Sequence, residues 1–326
     1  MSIRNDYLSK ENTNCMKFVF AIAIVFCHVF AYNPFGMGIG IGAIITAFGY
    51  LSVSAFLFFS GYGLMVQYLS RGDKFFEKYF TKRILPIYII QSLLILLYSL
   101  FKLLIGYSFS YRTVLQSFLF GNTIIQYGWY LQMIMLFYAI FYFCLCKSNY
   151  KAGIIKLSFS VVAYIIFCVT VKLTSNWYES SLSFIVGAIW ALKKERIDSE
   201  LDVFPKYIYT AISAVFVFAG TFILGNSSIL PNGFRIPFKM ISAVSFVVCV
   251  LLTAMRVRVN FKVLAFGGKY YFEIYFMQGF VVLLFNEVIT VSSSIFKYIV
   301  CFVCVFFVAI IAKPVVNAIN NKCRSI

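Results

Sequence analysis

Apolar residues in this chain fall in long blocks separated by short polar segments. Most blocks run for roughly 17–25 residues, the length at which a helix crosses the hydrocarbon core of a bilayer. Ten can be placed, with approximate cores at 16–32, 44–68, 84–106, 127–146, 154–173, 178–192, 207–224, 238–255, 270–291 and 295–318. Alternation with period two, the mark of a membrane barrel, is absent. Backbone groups in lipid must bond within their own segment, so the pattern predicts an all-α fold, a polytopic membrane helical bundle of about ten transmembrane helices. The sixth block is the shortest and is expected to be tilted or partly re-entrant. Residues 111–120 are expected to form a short interfacial helix. Pro86 falls near the start of the third block, where a missing N–H costs little, and Pro314 late in the tenth, where it should kink the helix.

Composition agrees with this pattern. Hydrophobic residues make up 62% of the 326 and charged ones 12%, against about a quarter charged in soluble domains. There is no internal repeat, no Gly/Ser/Pro-rich linker and no soluble insertion, so residues 1–326 read as a single membrane-embedded domain. The first block follows a polar lead containing Arg4, Lys10 and Lys17. Only the turn Asn33-Pro34-Phe35-Gly36 comes after it, so it is expected to be a retained span rather than a cleaved signal.

The net charge of +17 would suggest nucleic acid in a soluble protein. Here the positive-inside rule accounts for it, and no nucleic-acid partner is expected. With the N-terminus in the cytoplasm, 22 of the 28 basic residues fall on the cytoplasmic side of the ten-block scheme and six outside. One missed or invented span would reverse every later loop and destroy that asymmetry. Both termini are therefore expected to be cytoplasmic. The nine cysteines lie almost entirely within apolar blocks. Cys144-x-Cys146 and Cys301-x-x-Cys304 have metal-like spacings, but one histidine and no second loop pair make them small apolar packing residues; no metal is expected.

Ionisable groups inside a membrane are expensive and are functional candidates by default. His28, the only histidine, lies well inside the first block. Lys17 precedes it by eleven residues, about 16 Å of helix and roughly three full turns, so both lie near one face. Lys78, Lys82 and Arg83 form a basic cluster before the third block, suited either to an anionic phosphate or to acidic lipid heads. Phe58-Phe59-Ser60-Gly61-Tyr62 offers small residues for close helix approach and a serine for a ligand. Trp129-Tyr130-Leu131 opens the fourth block, and Glu273 lies about one turn into the ninth; Glu179 and Glu287 lie near outer ends and are expected to be wetted.

Taken in order, these segments resemble the acyltransferase-3 family of membrane O-acyltransferases over nearly the whole chain. The family's basic residue, ten residues and histidine in the first helix correspond to Lys17 and His28, with lysine for the usual arginine. Its phenylalanine-rich Ser-Gly-Tyr stretch corresponds to Phe58–Tyr62, its arginines before a proline to Arg83-Ile-Leu-Pro86, its Trp-Tyr-Leu and following tyrosine to Trp129–Leu131 and Tyr138, and its late Ser-Tyr-x-Ile-Tyr-Leu-x-His to Tyr271, Ile274 and Tyr275. This sequence departs from the pattern at Phe80, which stands where a second arginine is usual, at Tyr270 for the late serine and at Gln278 for the late histidine.

The resemblance implies a multi-pass protein of a bacterial cytoplasmic membrane. Its function would be O-acetylation, with acetyl-CoA (an acyl-CoA) as donor substrate and a surface polysaccharide or lipid-linked sugar as acceptor, and no permanently bound cofactor. On that reading His28 is the catalytic base or a transient acyl carrier, and Lys17, Lys82 and Arg83 hold the coenzyme. Ser60, Trp129, Tyr130 and Glu273 contact substrate. An extended pantetheine arm of about a dozen single bonds has roughly the reach from Lys17 to His28. A partner from another helix is expected to orient His28. The other classes compatible with the chain are a transporter or flippase for a glycan or lipid-linked intermediate, and a family member without catalysis. The charge asymmetry predicts that the Gly-rich stretch Gly36–Gly42 faces outward. A Gly40→Cys variant should be labelled by impermeant thiol reagents only from the outer side; labelling only from the cytoplasmic side would overturn the scheme.

Overall fold

A computed structural model describes residues 3–32, 39–120, 124–125, 127–289 and 294–325. The turn at 33–36 and the first residues of the Gly-rich stretch therefore lie outside the described residues. The described residues are helical throughout, with no strand among them. Every apolar block forms a helix: α1 (Lys10–Tyr32), α2 (Ile39–Arg71), α4 (Leu85–Leu104), α6 (Trp129–Leu145), α7 (Tyr150–Thr170), α8 (Leu182–Asp202), α9 (Phe204–Asn226), α10 (Asn232–Arg256), α12 (Tyr271–Glu287) and α13 (Ser294–Ser325). Between them lie the short helices α3 (Tyr79–Arg83), α5 (Tyr111–Phe120) and α11 (Lys262–Gly267). Pro86 falls in the first turn of α4, as its missing N–H requires, and α10 carries Pro237 in its interior.

Seven of these helices are long and apolar enough to cross a membrane. The others among the ten blocks are α6 and α12, of 17 residues each, and α8, whose last ten residues are largely charged or polar. The sixth block lies in one continuous helix of 21 residues. Its apolar first half is buried, and its second half runs out into a polar layer, where Lys194 pairs with Asp198 and Arg196 with Glu200 at helical spacing.

Bonds between helices sort the helix ends into two layers. In one, the amide of Ile3 donates to Asp202 at the end of α8 (2.8 Å) and that of Arg4 to the Met255 carbonyl at the end of α10 (2.9 Å). The buried Tyr7 hydroxyl donates to Asp198 (2.9 Å) and accepts from Trp190 (3.0 Å). Lys313, late in α13, reaches Glu273 at the start of α12 (2.9 Å). In the other layer, the Tyr50 hydroxyl, in the first half of α2, meets Ser242 of α10 and Asn226 at the end of α9 (2.9 and 3.0 Å). There too Ser180, just before α8, donates to the Tyr50 carbonyl (2.8 Å), and Lys102 at the end of α4 donates to the Ile124 carbonyl (3.1 Å). Exposed leucines, phenylalanines and valines of α4, α7, α9 and α13 form an apolar perimeter around these layers. On α5, Tyr111, Leu115 and Leu119 recur at one-turn spacing and are exposed, the stripe of a helix lying on an apolar surface.

The tightest crossing is α2 on α8. A Cβ on Gly61 would sit 2.0 Å from the Phe184 carbonyl oxygen, and one on Gly187 would sit 2.1 Å from that of Phe58. Backbone meets backbone here, which only glycine permits. Ser54 of α2 bonds Ser183 of α8 (2.6 Å) and the Ala243 carbonyl of α10 (2.8 Å), so the crossing is polar as well as close. Cysteine serves the neighbouring contact: Cys27 of α1 packs its sulfur against Gly49 of α2 and reaches the Thr46 carbonyl at 3.5 Å. Gly61→Ala should therefore cost about 1–3 kcal/mol or more by overpacking and lower the thermal midpoint of the purified protein. Gly63→Ala, where nothing lies within 4 Å of the added carbon, should leave that midpoint unchanged.

Candidate active site

Helices α1, α2, α6 and α12 enclose two cavities, one towards each polar layer. Helical periodicity decides which residues face which. Successive residues on a helix point about 100° apart, so Trp129 and Tyr130, neighbours in sequence, line different cavities. On α1, Lys17 faces the cavity on the side of the N-terminus, and Ile24 and His28 face the other. On α2, Tyr50 and Val53 line the second cavity, and Phe56, Phe59, Ser60 and Gln67 the first.

The first cavity, about 250 Å³, is lined by Lys17, Arg83, Gln67, Ser60, Tyr130, Tyr138 and Tyr271 among others, with no carboxylate on its wall. Lys17 is half-buried, with its ammonium 5.0 Å from the Tyr271 ring centre and 5.7 Å from that of Phe59. Neither it nor Arg83 is paired with a carboxylate among the described residues. Arg83 donates instead to the side-chain oxygen of Gln67 and packs 5.8 Å from the Phe75 ring centre. Two cations in an aromatic-walled space, without a paired carboxylate among the described residues, are an arrangement with the charge to accept an anion.

The second cavity, about 690 Å³, holds His28 together with Tyr50, Trp129, Asn176, Glu179 and Glu287. The imidazole lies face to face with the Tyr127 ring, centroids 3.4 Å apart and planes 4° from parallel. Its Nδ1 is 3.1 Å from Oε1 of Gln278, a buried residue of α12. With the amide oxygen as acceptor, Nδ1 carries the proton and Nε2 keeps a lone pair for proton transfer. Gln278 is thus the partner that the sequence left unnamed. It had been visible only as a departure from the family pattern, and nothing local marked it as the residue that folds against His28.

Tyr275 stands in the wall of both cavities. Its ring packs edge-on against Tyr130 at 4.9 Å and against Phe56 at 5.8 Å, forming the partition between them.

Of the expected site residues, Lys17, Arg83, Ser60 and Tyr130 come together in the first cavity, and His28 and Trp129 in the second. Two stand apart. Lys82 is exposed and spends its ammonium on the Glu77 carbonyl (3.2 Å), because one residue along α3 from Arg83 turns it away from the cavity. Glu273 lies outside both cavities, buried against Lys313. Glu179, expected to be wetted, is buried except where it lines the second cavity, and is held by Ser175 (2.9 Å) and Lys239 (3.5 Å).

The family model described as an acyltransferase domain, Acyl_transf_3, matches residues 11–313, nearly the whole chain. No curated protein and no solved structure matched it. Because His28 is the sole histidine, its ring can be observed without interference. In ¹⁵N spectra of imidazole-labelled protein, Nδ1 should be protonated and Nε2 bare. Gln278→Leu should remove that bias and mix the tautomers. A wild-type ring protonated mainly at Nε2 would overturn the assignment.

Proposed function

The chain belongs to the acyltransferase-3 family, and from that premise we propose that it transfers an acetyl group from cytoplasmic acetyl-CoA to a hydroxyl of a cell-surface or lipid-linked carbohydrate. We read the ten long helices as ten crossings of the cell membrane, with both termini in the cytoplasm. This agrees with the two layers of helix ends and with the basic residues of the N-terminal side. The first cavity then opens towards the cytoplasm and receives the donor, and the second opens outward and receives the acceptor.

The observation that carries this reading is the pairing of the cavities across Tyr275. Lys17 and Arg83 offer two cations without a counter-carboxylate to the coenzyme's phosphates. The aromatic wall of Phe59, Tyr130, Tyr138 and Tyr271 suits the thin pantetheine arm. Beyond the Tyr130–Tyr275 partition, the outer cavity combines the flat face of Trp129 with Tyr50, Asn176, Glu179 and Glu287, an aromatic and polar surface of the sort that holds a sugar ring by stacking and hydrogen bonds. His28 lines the outer side, so the thioester is delivered past Tyr275 rather than the sugar drawn inward.

The chemistry follows from the tautomer. Nε2 of His28 takes the proton from the acceptor hydroxyl as its oxygen attacks the thioester carbonyl. A C–O bond forms and the C–S bond breaks. The coenzyme leaves as a thiolate on the cytoplasmic side and takes up a proton there, and His28 returns its own to the outer cavity. Gln278 keeps the ring oriented through both transfers. A glutamine cannot balance the imidazolium charge as a carboxylate would, so on this reading Glu179 and Glu287 on the wall of the outer cavity supply that stabilisation.

Four substitutions separate the parts. His28→Gln keeps size and polarity but not basicity, and should lower acetyl transfer by about a hundred- to ten-thousand-fold, with donor affinity intact. Arg83→Ala should weaken acetyl-CoA binding by about 1–3 kcal/mol, Lys17→Arg should be tolerated, and Lys82→Ala should change little. Transfer measured with purified protein, and mass spectrometry of surface glycans with and without it, check these outcomes. Near-normal turnover of His28→Gln would sink the catalytic role, and movement of a glycan across vesicles without any transfer would favour the transporter class.

A further inference from the structure

The segment before α8, the end of α9 and the start of α10 line a third space, of about 370 Å³, that the reaction described above does not use. Its wall includes Ser175, Asn226, Arg235 and Lys239. We propose that it is a second anion site, one that takes a phosphate-type oxyanion next to the acceptor cavity.

Charge makes the case. Only six of the 28 basic residues fall on the outer side of the ten-crossing scheme, and two of these six, Arg235 and Lys239, stand one turn apart on the same cavity. Like charges at that spacing repel, and Arg235 lies about one turn into α10, near the positive end of the helix dipole. Neither is a freely solvated surface side chain, as both are half-buried. Arg235 spends its Nε on the Leu230 carbonyl (2.6 Å), which fixes the guanidinium, and no carboxylate pairs with it among the described residues. Lys239 has one, Glu179, at 3.5 Å, and that carboxylate is turned to the neighbouring cavity.

The walls are closely packed and bonded. Gly225 at the end of α9 approaches so closely that a Cβ there would lie 3.0 Å from the Lys239 amide nitrogen. Asn226 is fixed by bonds to the Tyr50 hydroxyl (3.0 Å) and the Phe222 carbonyl (2.9 Å). The space therefore gathers two positive groups, of which Arg235 has no carboxylate partner among the described residues and Lys239 shares Glu179, and a bound oxyanion would neutralise them by charge-assisted hydrogen bonds.

Position suggests what the site serves. Tyr50 and Glu179 line the acceptor cavity, and behind them Lys239 lies 5.5 Å from the Tyr50 ring centre and against Glu179. A ligand spanning this partition places a sugar hydroxyl at His28 and an anionic group at Arg235. That placement rests on the function proposed above, whereas anion binding itself does not. The oxyanion's source is either the acceptor's own anionic group or a phospholipid head from the outer leaflet.

Hydrogen exchange of the full-length protein in phosphatidylcholine nanodiscs tests both, with exchange read at the amides of residues 233–239, which excludes the Lys17–Arg83 cavity from the readout and does not depend on acetyl transfer. Inorganic pyrophosphate should slow exchange there, and Arg235→Gln should raise the concentration needed by about tenfold, the loss of one charge-assisted contact. Arg235→Lys should restore most of the effect, and Arg235→Gln leaves the Lys239–Glu179 pair in place as a check on folding. Protection by phosphatidylglycerol but not by pyrophosphate would assign the site to a lipid head. No protection by either, or protection that Arg235→Gln does not change, would overturn the proposal.

Discussion

The backbone-to-backbone crossing of α2 on α8 sets the geometry on which everything else depends. Gly61 and Gly187 let the two helices meet with carbonyls where side chains would normally stand. In lipid there is no hydrophobic drive to bring helices together, so such contacts, with the Ser54–Ser183 bond, supply the packing. Helix α2 then lines both principal cavities, with Tyr50 and Val53 in one and Ser60 and Gln67 in the other. A shift of α2 by one turn would move the walls of both chambers together.

Electrostatics distinguishes the two chambers. Lys17 and Arg83 line the first, where no carboxylate among the described residues pairs with them, an arrangement that on the proposed function a bound anion would neutralise. The His28 chamber is the opposite case. Its imidazole is bonded and stacked on a neutral aromatic ring, and the carboxylates of Glu179 and Glu287 are on the same wall. One chamber thus presents positive charge and the other an imidazole beside carboxylates, the division of labour on which the proposed function rests, with the Tyr130–Tyr275 partition keeping them distinct.

The departures from the family pattern gain physical meaning in this setting. Lysine at position 17 preserves a cation but not the bidentate geometry of an arginine, and the two rings beside it hold a point charge well. Glutamine at position 278 keeps a hydrogen bond to His28 without placing a titrating group directly against the imidazole. Phe80, where a second arginine is usual, packs edge-on against Tyr142 at 4.7 Å, so that position has become part of the helix contact between α3 and α6.

The hydrophobic pattern by itself determined the helices, because in a bilayer length and apolarity decide whether a segment is a helix at all. It also determined that His28, Lys17, Ser60 and Trp129 were the side chains to watch, because polar groups in apolar blocks are costly. What it could not determine was which of them meet. The division of Trp129 from Tyr130 and the turning away of Lys82 follow from helix rotation, which a list of neighbours does not contain. The pairing of Glu273 with Lys313 and of His28 with Gln278 joins residues 40 and 250 positions apart, and the continuity of α8 depends on a polar layer assembled from the N-terminal segment and the end of α10. Those were decided only by the tertiary structure, because in a membrane the partner of a buried polar group is set by which helix face is turned towards it and not by anything in the segment that carries it.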